Sequence, residues 1–200
     1  MNVKEAIQTR RSIKVFDPGH RMSEDEIRTL VEHAILSPTA FNIQHWRFVA
    51  VRDPALRAKI REASWNQAQV TDASLLLVVC MDLKAWDKAP ERYWRNAPSR
   101  VQDHMVTGIR QYYAGNAQAQ RDEGMRSTSM AAMTVMLLAR EMGYDSCAMD
   151  GFDFDAVGRL IHLPEDHAIC MMLAIGKRLQ EPYPRSGQLA LEEVFFTDHF

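Results

Sequence analysis

Residues 37–48 read Ser37-Pro38-Thr39-Ala40-Phe41-Asn42-Ile43-Gln44-His45-Trp46-Arg47-Phe48. A polar loop, rich in amide and hydroxyl groups, leads straight into an apolar strand, and it decides how its surroundings are parsed. Upstream, Ser23 is a good helix N-cap, and Glu26 three residues on completes a capping box. The helix begun there carries Ile27, Leu30, Val31, Ala34 and Ile35 on one face and stops before Pro38. Downstream, Trp46–Val51 reads as a strand, and Asp53-Pro54 opens another helix with an N-cap followed by proline in the first turn. Amides at alternating loop positions suit hydrogen bonds to the carbonyls and ring nitrogens of a planar heterocycle. The plainer reading is a loop whose Asn and Gln satisfy their own backbone, with Trp46 in the core.

Moving towards the N-terminus, Arg10-Arg11-Ser12-Ile13-Lys14 falls where a helix over Val3–Thr9 gives way to extended chain. Guanidinium groups chelate phosphate oxygens in bidentate fashion, and a hydroxyl and backbone N–H groups fill the remaining positions. Such a cluster suits a phosphate monoester. Alternatively, the cations only complement a helix C-terminus.

Further along, Ser74–Met81 and His167–Ile175 read as buried strands, each a short apolar run bounded by polar or turn residues, and Tyr144–Met149 as a fourth strand. Between them lies a long helical region, roughly Ser99 to Met142, expected to break near Gly124, with Ser127 or Thr128 capping its second half. That half carries Met130, Met133, Met136, Leu137 and Leu138, and Gly143 supplies the stop. A helix this apolar needs more cover than a small sheet gives, which points to a dimer interface. The element order is α+β, and without repeats or a Pro/Gly/Ser-rich linker residues 1–200 read as a single domain.

Composition narrows the function. A net charge of −2 argues against nucleic-acid binding. The first residues have no apolar signal region, and no apolar run approaches the roughly 20 residues of a spanning helix, so a cytoplasmic protein with no membrane partner is expected. The 3 cysteines, Cys80, Cys147 and Cys170, show neither CxxC nor metal spacing, and a reducing compartment fits them. His162 and His167 are separated by Pro164, and no metal site is expected. There is no GxGxxG after a strand, no P-loop, and no Gly-x-Ser-x-Gly elbow.

Taken in order, RRSIKVFDP and SPTAFNIQHWRF resemble the nitroreductase family of FMN-dependent oxidoreductases. The resemblance continues through Asn66 and Gln69, Gly143-Tyr144, Met149-Asp150-Gly151-Phe152-Asp153 and Ala174-Ile175-Gly176-Lys177, and leaves only about Lys84–Gln120 unmatched. It implies a central, mostly antiparallel sheet surrounded by helices, in an intertwined homodimer with FMN at the subunit interface. It also implies that Arg10, Arg11 and Ser12 meet the FMN phosphate and ribityl chain, with Lys14 near the pyrimidine edge. Pro38, Thr39, Ala40 and Asn42 would approach from the partner subunit, and Asn66 and Gln69 would lie at the pyrimidine ring. Asp150-Gly151 would offer a backbone N–H towards N5, with Arg185 and Lys177 as late basic contacts. Gln69 and Asp150 depart from the lysine and glutamate of the bacterial nitroaromatic reductases, and Gly187 stands where a second late basic residue is expected.

The implied activity takes hydride from NADH or NADPH and reduces an electron-poor small-molecule acceptor of nitroaromatic, quinone or enone type, by a ping-pong mechanism. No acid–base residue is named, because the flavin carries the chemistry. Dehalogenation, flavin fragmentation and a flavin-binding module without turnover are the alternatives. In the unmatched region, Trp94, Tyr112 and Tyr113 either stack on substrate or pack a helix pair.

Overall fold

The computed structural model describes residues 1–200. The apolar run after Ser74 forms β2 (Leu75–Asp82), in which every residue is buried. It pairs antiparallel with β1 (Trp46–Val51) on one side and β4 (His167–Gly176) on the other, and β4 pairs antiparallel with β3 (Asp145–Met149). The sheet therefore has the order β1-β2-β4-β3, with β1 and β3 at opposite edges.

A strand without exposed residues needs cover on both faces. Leu76, Val78 and Cys80 enter one core with Ile60, Val70 and Val157 of α3 (Pro54–Glu62), α4 (Gln69–Asp72) and α7 (Phe154–Leu160). The alternate residues Leu75, Leu77 and Val79 enter a second core with Leu30 and Ala34 of α2 (Glu24–Ala34) and with Ala131, Val135 and Ala139 of α6 (Ala117–Glu141). Between Val79 and Cys80 the register against β4 slips by one residue. The bulge reverses the parity of β4, so Met172 and Ala174 share the first core with Ile169 instead of with Cys170. All three cysteines are free and buried.

The predicted starts hold. Asn2 and Glu5 box the start of α1 (Val3–Thr9), Ser23 and Glu26 box α2, and Asp53 caps α3 at Pro54. The long helical region is divided elsewhere than expected. α5 (Ser99–Tyr113) ends at Ala114, Gly115 takes a φ of +70°, and Asn116 caps α6 by accepting from the Ala119 N–H at 3.0 Å. Gly124 lies inside α6, where a Cβ would meet Met81 Sδ at 2.8 Å; it breaks nothing and lets the helix pass close over β2. Nor do Ser127 and Thr128 cap a helix, since both are buried in α6 and Thr128 Oγ1 donates to the Gly124 carbonyl at 2.6 Å. The buried face of α6 combines Gln120, Gly124, Ser127 and Thr128 with alanines and Val135, while Met130 and Met133 are exposed. Gly143 does terminate α6, at a φ of +79°.

A smaller cluster of Ile43, Ala85, Trp86, Ile109, Tyr113 and Ala119 lies beneath the 3₁₀ turn Ala40–Asn42. Beyond Gly176 the chain runs over the surface with one 3₁₀ turn, and Tyr183, Leu189, Leu191, Phe195 and Phe196 are exposed. No helix is long and apolar enough to cross a membrane.

Candidate active site

One concentration of unpaired polar groups runs along the outer edge of β3. α1 ends at Arg10, and the extended chain that follows docks on that edge, Ile13 N–H donating to the Ser146 carbonyl at 3.0 Å. The side chains of Arg10, Ser12 and Lys14 have no hydrogen-bond or ion-pair partner in the chain. Burial pushes the Cys147 thiol up, and the positive charges of Lys14 and Arg10 oppose that shift, which puts both cations beside β3. The C-terminal segment folds back here: Arg185 donates to the Arg10 carbonyl at 3.1 Å, and Arg11 donates to the Tyr183 carbonyl.

At the other end of the same edge, β3 runs out at Met149 into exposed Asp150 and half-buried Gly151. The Gly151 N–H has no acceptor in the chain. Its carbonyl accepts from Gln67 Nε2 at 2.8 Å, which ties this end to the loop of Trp65 and Asn66. A Cβ on Gly151 would meet the Trp65 ring at 2.5 Å, so glycine is required for the two segments to touch. Trp65 is 76% exposed although it is aromatic, and the side-chain amide of Asn66 beside it makes no internal hydrogen bond. From Ser146 to Gly151 the strand rise gives a strip roughly 16 Å long, with cations at one end and amide N–H groups at the other.

Pro38, Thr39, Ala40 and Asn42 are not part of that strip. They precede β1, at the opposite edge of the sheet. Thr39 is held by Ser127 Oγ of α6 at 3.0 Å and lies 3.5 Å from His45 Nδ1, while Asn42 Nδ2 donates to the Tyr93 carbonyl at 2.9 Å. His45 is fully buried, its Nε2 has no partner, and burial pulls its pKa down to about 4. The imidazole is therefore neutral under Thr39.

Two candidate residues are otherwise engaged. Gln69 is only 3% exposed, and its amide donates to Gln67 Oε1 at 2.9 Å, so it supports the Asn66 loop from inside. Lys177 donates to the Gly143 carbonyl at 2.6 Å and sits over the Tyr144 ring at the C-terminus of α6. Trp65 and Gln67 were not candidates from the sequence; the glycine at 151 was their only signal. Of the aromatics in the unmatched region, Tyr113 is buried against Trp86 and Phe41, and Trp94 Nε1 fixes the Phe41 carbonyl at 3.0 Å. Both pack. Tyr112 packs on Phe41 and edge-on to Tyr113 and keeps 44% of its surface exposed. A separate group, Asp82, Asp166 and His167, is closed by Lys88, whose ammonium lies 3.0 Å and 2.6 Å from the two carboxylates. Lys88 and then His167 hold the Asp166 carboxyl down at about 2.

Comparison with known proteins adds the following. The family model described as the nitroreductase family matches residues 7–177. The chain is 55% identical over 181 residues to protein DrgA of Synechocystis, covering 90% of this chain and 86% of that protein. It is 34% identical to MhqN of Bacillus subtilis, named as an NAD(P)H nitroreductase, covering 88% of each. A nitroreductase structure from Exiguobacterium sibiricum in complex with FMN superposes with a TM-score of 0.91 at 29% identity, covering 98% of this chain and 97% of that one.

Proposed function

The chain belongs to the nitroreductase family, and from that premise we propose that it is an FMN-dependent oxidoreductase that passes hydride from NADH or NADPH to a nitroaromatic, quinone or enone acceptor. One observation carries the reading: two sets of candidate polar groups lie at opposite edges of one sheet, and we read each as half of a site. The β3 edge presents Arg10, Ser12 and Lys14 unpaired at one end and Asn66 and the Gly151 N–H unpaired at the other. That pattern fits a phosphate joined to a planar heterocycle. Pro38–Asn42 lie beside β1 and cannot reach the same edge within one chain. In a two-fold dimer the loop of one subunit meets the β3 edge of the other, so each site draws on both chains. The exposed Met130 and Met133 of α6 and the apolar arm of Tyr183, Leu189, Leu191 and Phe195 support such a dimer.

When bound, FMN supplies the hydride-accepting and hydride-donating atom. The protein's part is orientation and charge. Arg10 and Ser12 would hold the phosphate, with Arg185 next to them, and Lys14 would place a positive charge at the pyrimidine edge of the ring. Asn66 and the Gly151 N–H would supply hydrogen bonds to that ring, and Trp65, packed against Gly151, would flank it. With no separate dinucleotide domain, one site would serve donor and acceptor in turn, and parallel double-reciprocal lines are expected.

Purified protein is expected to be yellow, to release FMN on heating, and to bleach when NADH or NADPH is added without oxygen. Colourless protein that ignores FMN would end the proposal. For the shared site, Arg10→Ala with Ser12→Ala is co-expressed with Thr39→Pro with Asn42→Ala, each pair inactive alone. Mixed dimers then carry one intact site, and activity recovers to about a quarter of wild type. No recovery would place the whole site within one chain.

A further inference from the structure

Between the Ala40–Asn42 turn and the 3₁₀ turn Pro90–Trp94 lies a cavity of about 600 Å³ whose wall is mainly polar, lined by Asn42, Gln44, Arg47, Arg92, Arg95 and Asn96 among others. No carboxylate lines it. Arg47 is paired with Asp82 at 2.9 Å, but Arg92 contacts only the Tyr93 hydroxyl and ring, and Arg95 has no partner in the chain. Two guanidinium groups without a counter-charge line this space together with three side-chain amides, of which Asn42 donates to the Tyr93 carbonyl, Gln44 donates to Asn42, and Asn96 has no partner in the chain. Like charges gathered without a counter-charge favour an anion, and guanidinium with amide donors suits phosphate oxygens.

Resting on the function proposed above, we infer that this cavity holds the phosphates of the nicotinamide dinucleotide donor. Three observations select that occupant. Asn42 lines the cavity and also belongs to the loop that approaches the flavin, so the cavity opens beside the reacting face. The chain has no glycine-rich dinucleotide fingerprint, so the charge of the donor needs another receptor. Nitroaromatic, quinone and enone acceptors carry no obligate anion, whereas NADH and NADPH always carry a pyrophosphate. The arginines and amides hold the phosphates and leave the nicotinamide free to reach the flavin.

The test is Arg92→Ala combined with Arg95→Ala, both exposed positions where truncation leaves the core intact. The KM values for NADH and NADPH are expected to rise at least about tenfold with kcat held, as befits lost charged hydrogen bonds. With 1-benzyl-1,4-dihydronicotinamide, which has no phosphate, the variant should match wild type. An equal rise for NADH and NADPH assigns the pyrophosphate; a larger rise for NADPH assigns its 2′-phosphate as well. A second readout needs no turnover: ADP-ribose, titrated calorimetrically into the FMN-loaded protein, should bind wild type and lose at least about tenfold in affinity in the variant. Unchanged dinucleotide KM, or a loss shared equally with the benzyl donor, overturns the inference, as does ADP-ribose binding that ignores the substitutions. Wild type that binds ADP-ribose through these arginines yet oxidises no donor would instead overturn the proposed function and leave the phosphate site standing.

Discussion

In the β2–β4 pair the inward side chains from Leu75 to Met81 and from Ile169 to Ile175 are apolar and no residue has a positive φ, whereas the loops before β1 and α4 hold five non-glycine residues in that region. These are Phe41 at +54°, Asn42 at +58°, Gln44 at +55°, Trp65 at +51° and Asn66 at +56°. The left-handed conformation costs an L-residue about 1–2 kcal/mol. Polar satisfaction divides in much the same way: of the four buried side-chain atoms without partners, His45 Nε2, Trp86 Nε1 and the Tyr113 hydroxyl lie in or beside the small cluster under the first loop, and Ser146 Oγ lies on the edge strand β3. Strain and orphaned polar atoms gather at the loops and edge strand of the proposed site, and the doubly covered sheet supplies the stability that tolerates them. The difference separates what holds the molecule together from what it is shaped for.

The largest effect is expected at the sheet. Leu173, fully buried in β4, should cost about 3–4 kcal/mol when changed to Ala, read as a drop in urea-unfolding free energy. FMN content per folded molecule should not change. A loss below about 1 kcal/mol would mean that stability resides elsewhere.

The next effect belongs to His45. Its folded pKa of about 4 lies below the ordinary 6.5, so between those values the unfolded chain binds a proton that the folded chain refuses. Stability is full above pH 6.5 and falls as the pH drops towards 4, by about 3 kcal/mol at most. Urea titrations at pH 7, 6, 5 and 4 should show that slope, and His45→Gln should flatten it. A variant that keeps the wild-type slope would assign the acid sensitivity to other groups.

The smallest effect is on stability at the strained loops. Asn66→Gly removes the cost of a positive φ while freeing the unfolded chain, and the two nearly cancel, to within about 1 kcal/mol. Its signature is a split: Tm almost unmoved, FMN dissociation constant raised because the side-chain amide is gone. A loss of several kcal/mol would make this loop part of the stabilising core.

Much of the fold was legible because its signals are local. The Ser23–Glu26 box, Asp53-Pro54 and the two apolar runs each carry their own instruction, and the structure follows them to within a residue or two. The division of α5 from α6 was misread because two glycines compete. Gly115, followed by a capping asparagine, ends a helix, whereas Gly124 answers a neighbour, Met81, that no local pattern announces. The candidate site divides similarly. The basic strip after α1 and the Asn66 and Asp150-Gly151 segments do converge on β3. Gln69 and Lys177 turn to internal partners, and Trp65 and Gln67 matter through contacts made across the sequence. The parity reversal in β4 depends on its register with β2 and has no signature in either strand alone.

α6 has a mechanical consequence. Its 25 residues make a rod of about 37 Å. Along it, Ser127 grips Thr39 at 3.0 Å, Thr134 grips Ser37 at 2.8 Å, and Arg140 reaches Thr9 at 3.1 Å and Asp145 at 3.2 Å. The loop before β1 and the end of α1 are thus clamped to one shaft at points about 20 Å apart. In the proposed dimer those clamps serve different flavins, so each subunit's shaft is a strut between the two sites. Their separation is gauged by helical rise, not by loop length. A single residue inserted between Thr134 and Arg140 would turn one clamp by about 100° against the other and put both sites out of true at once.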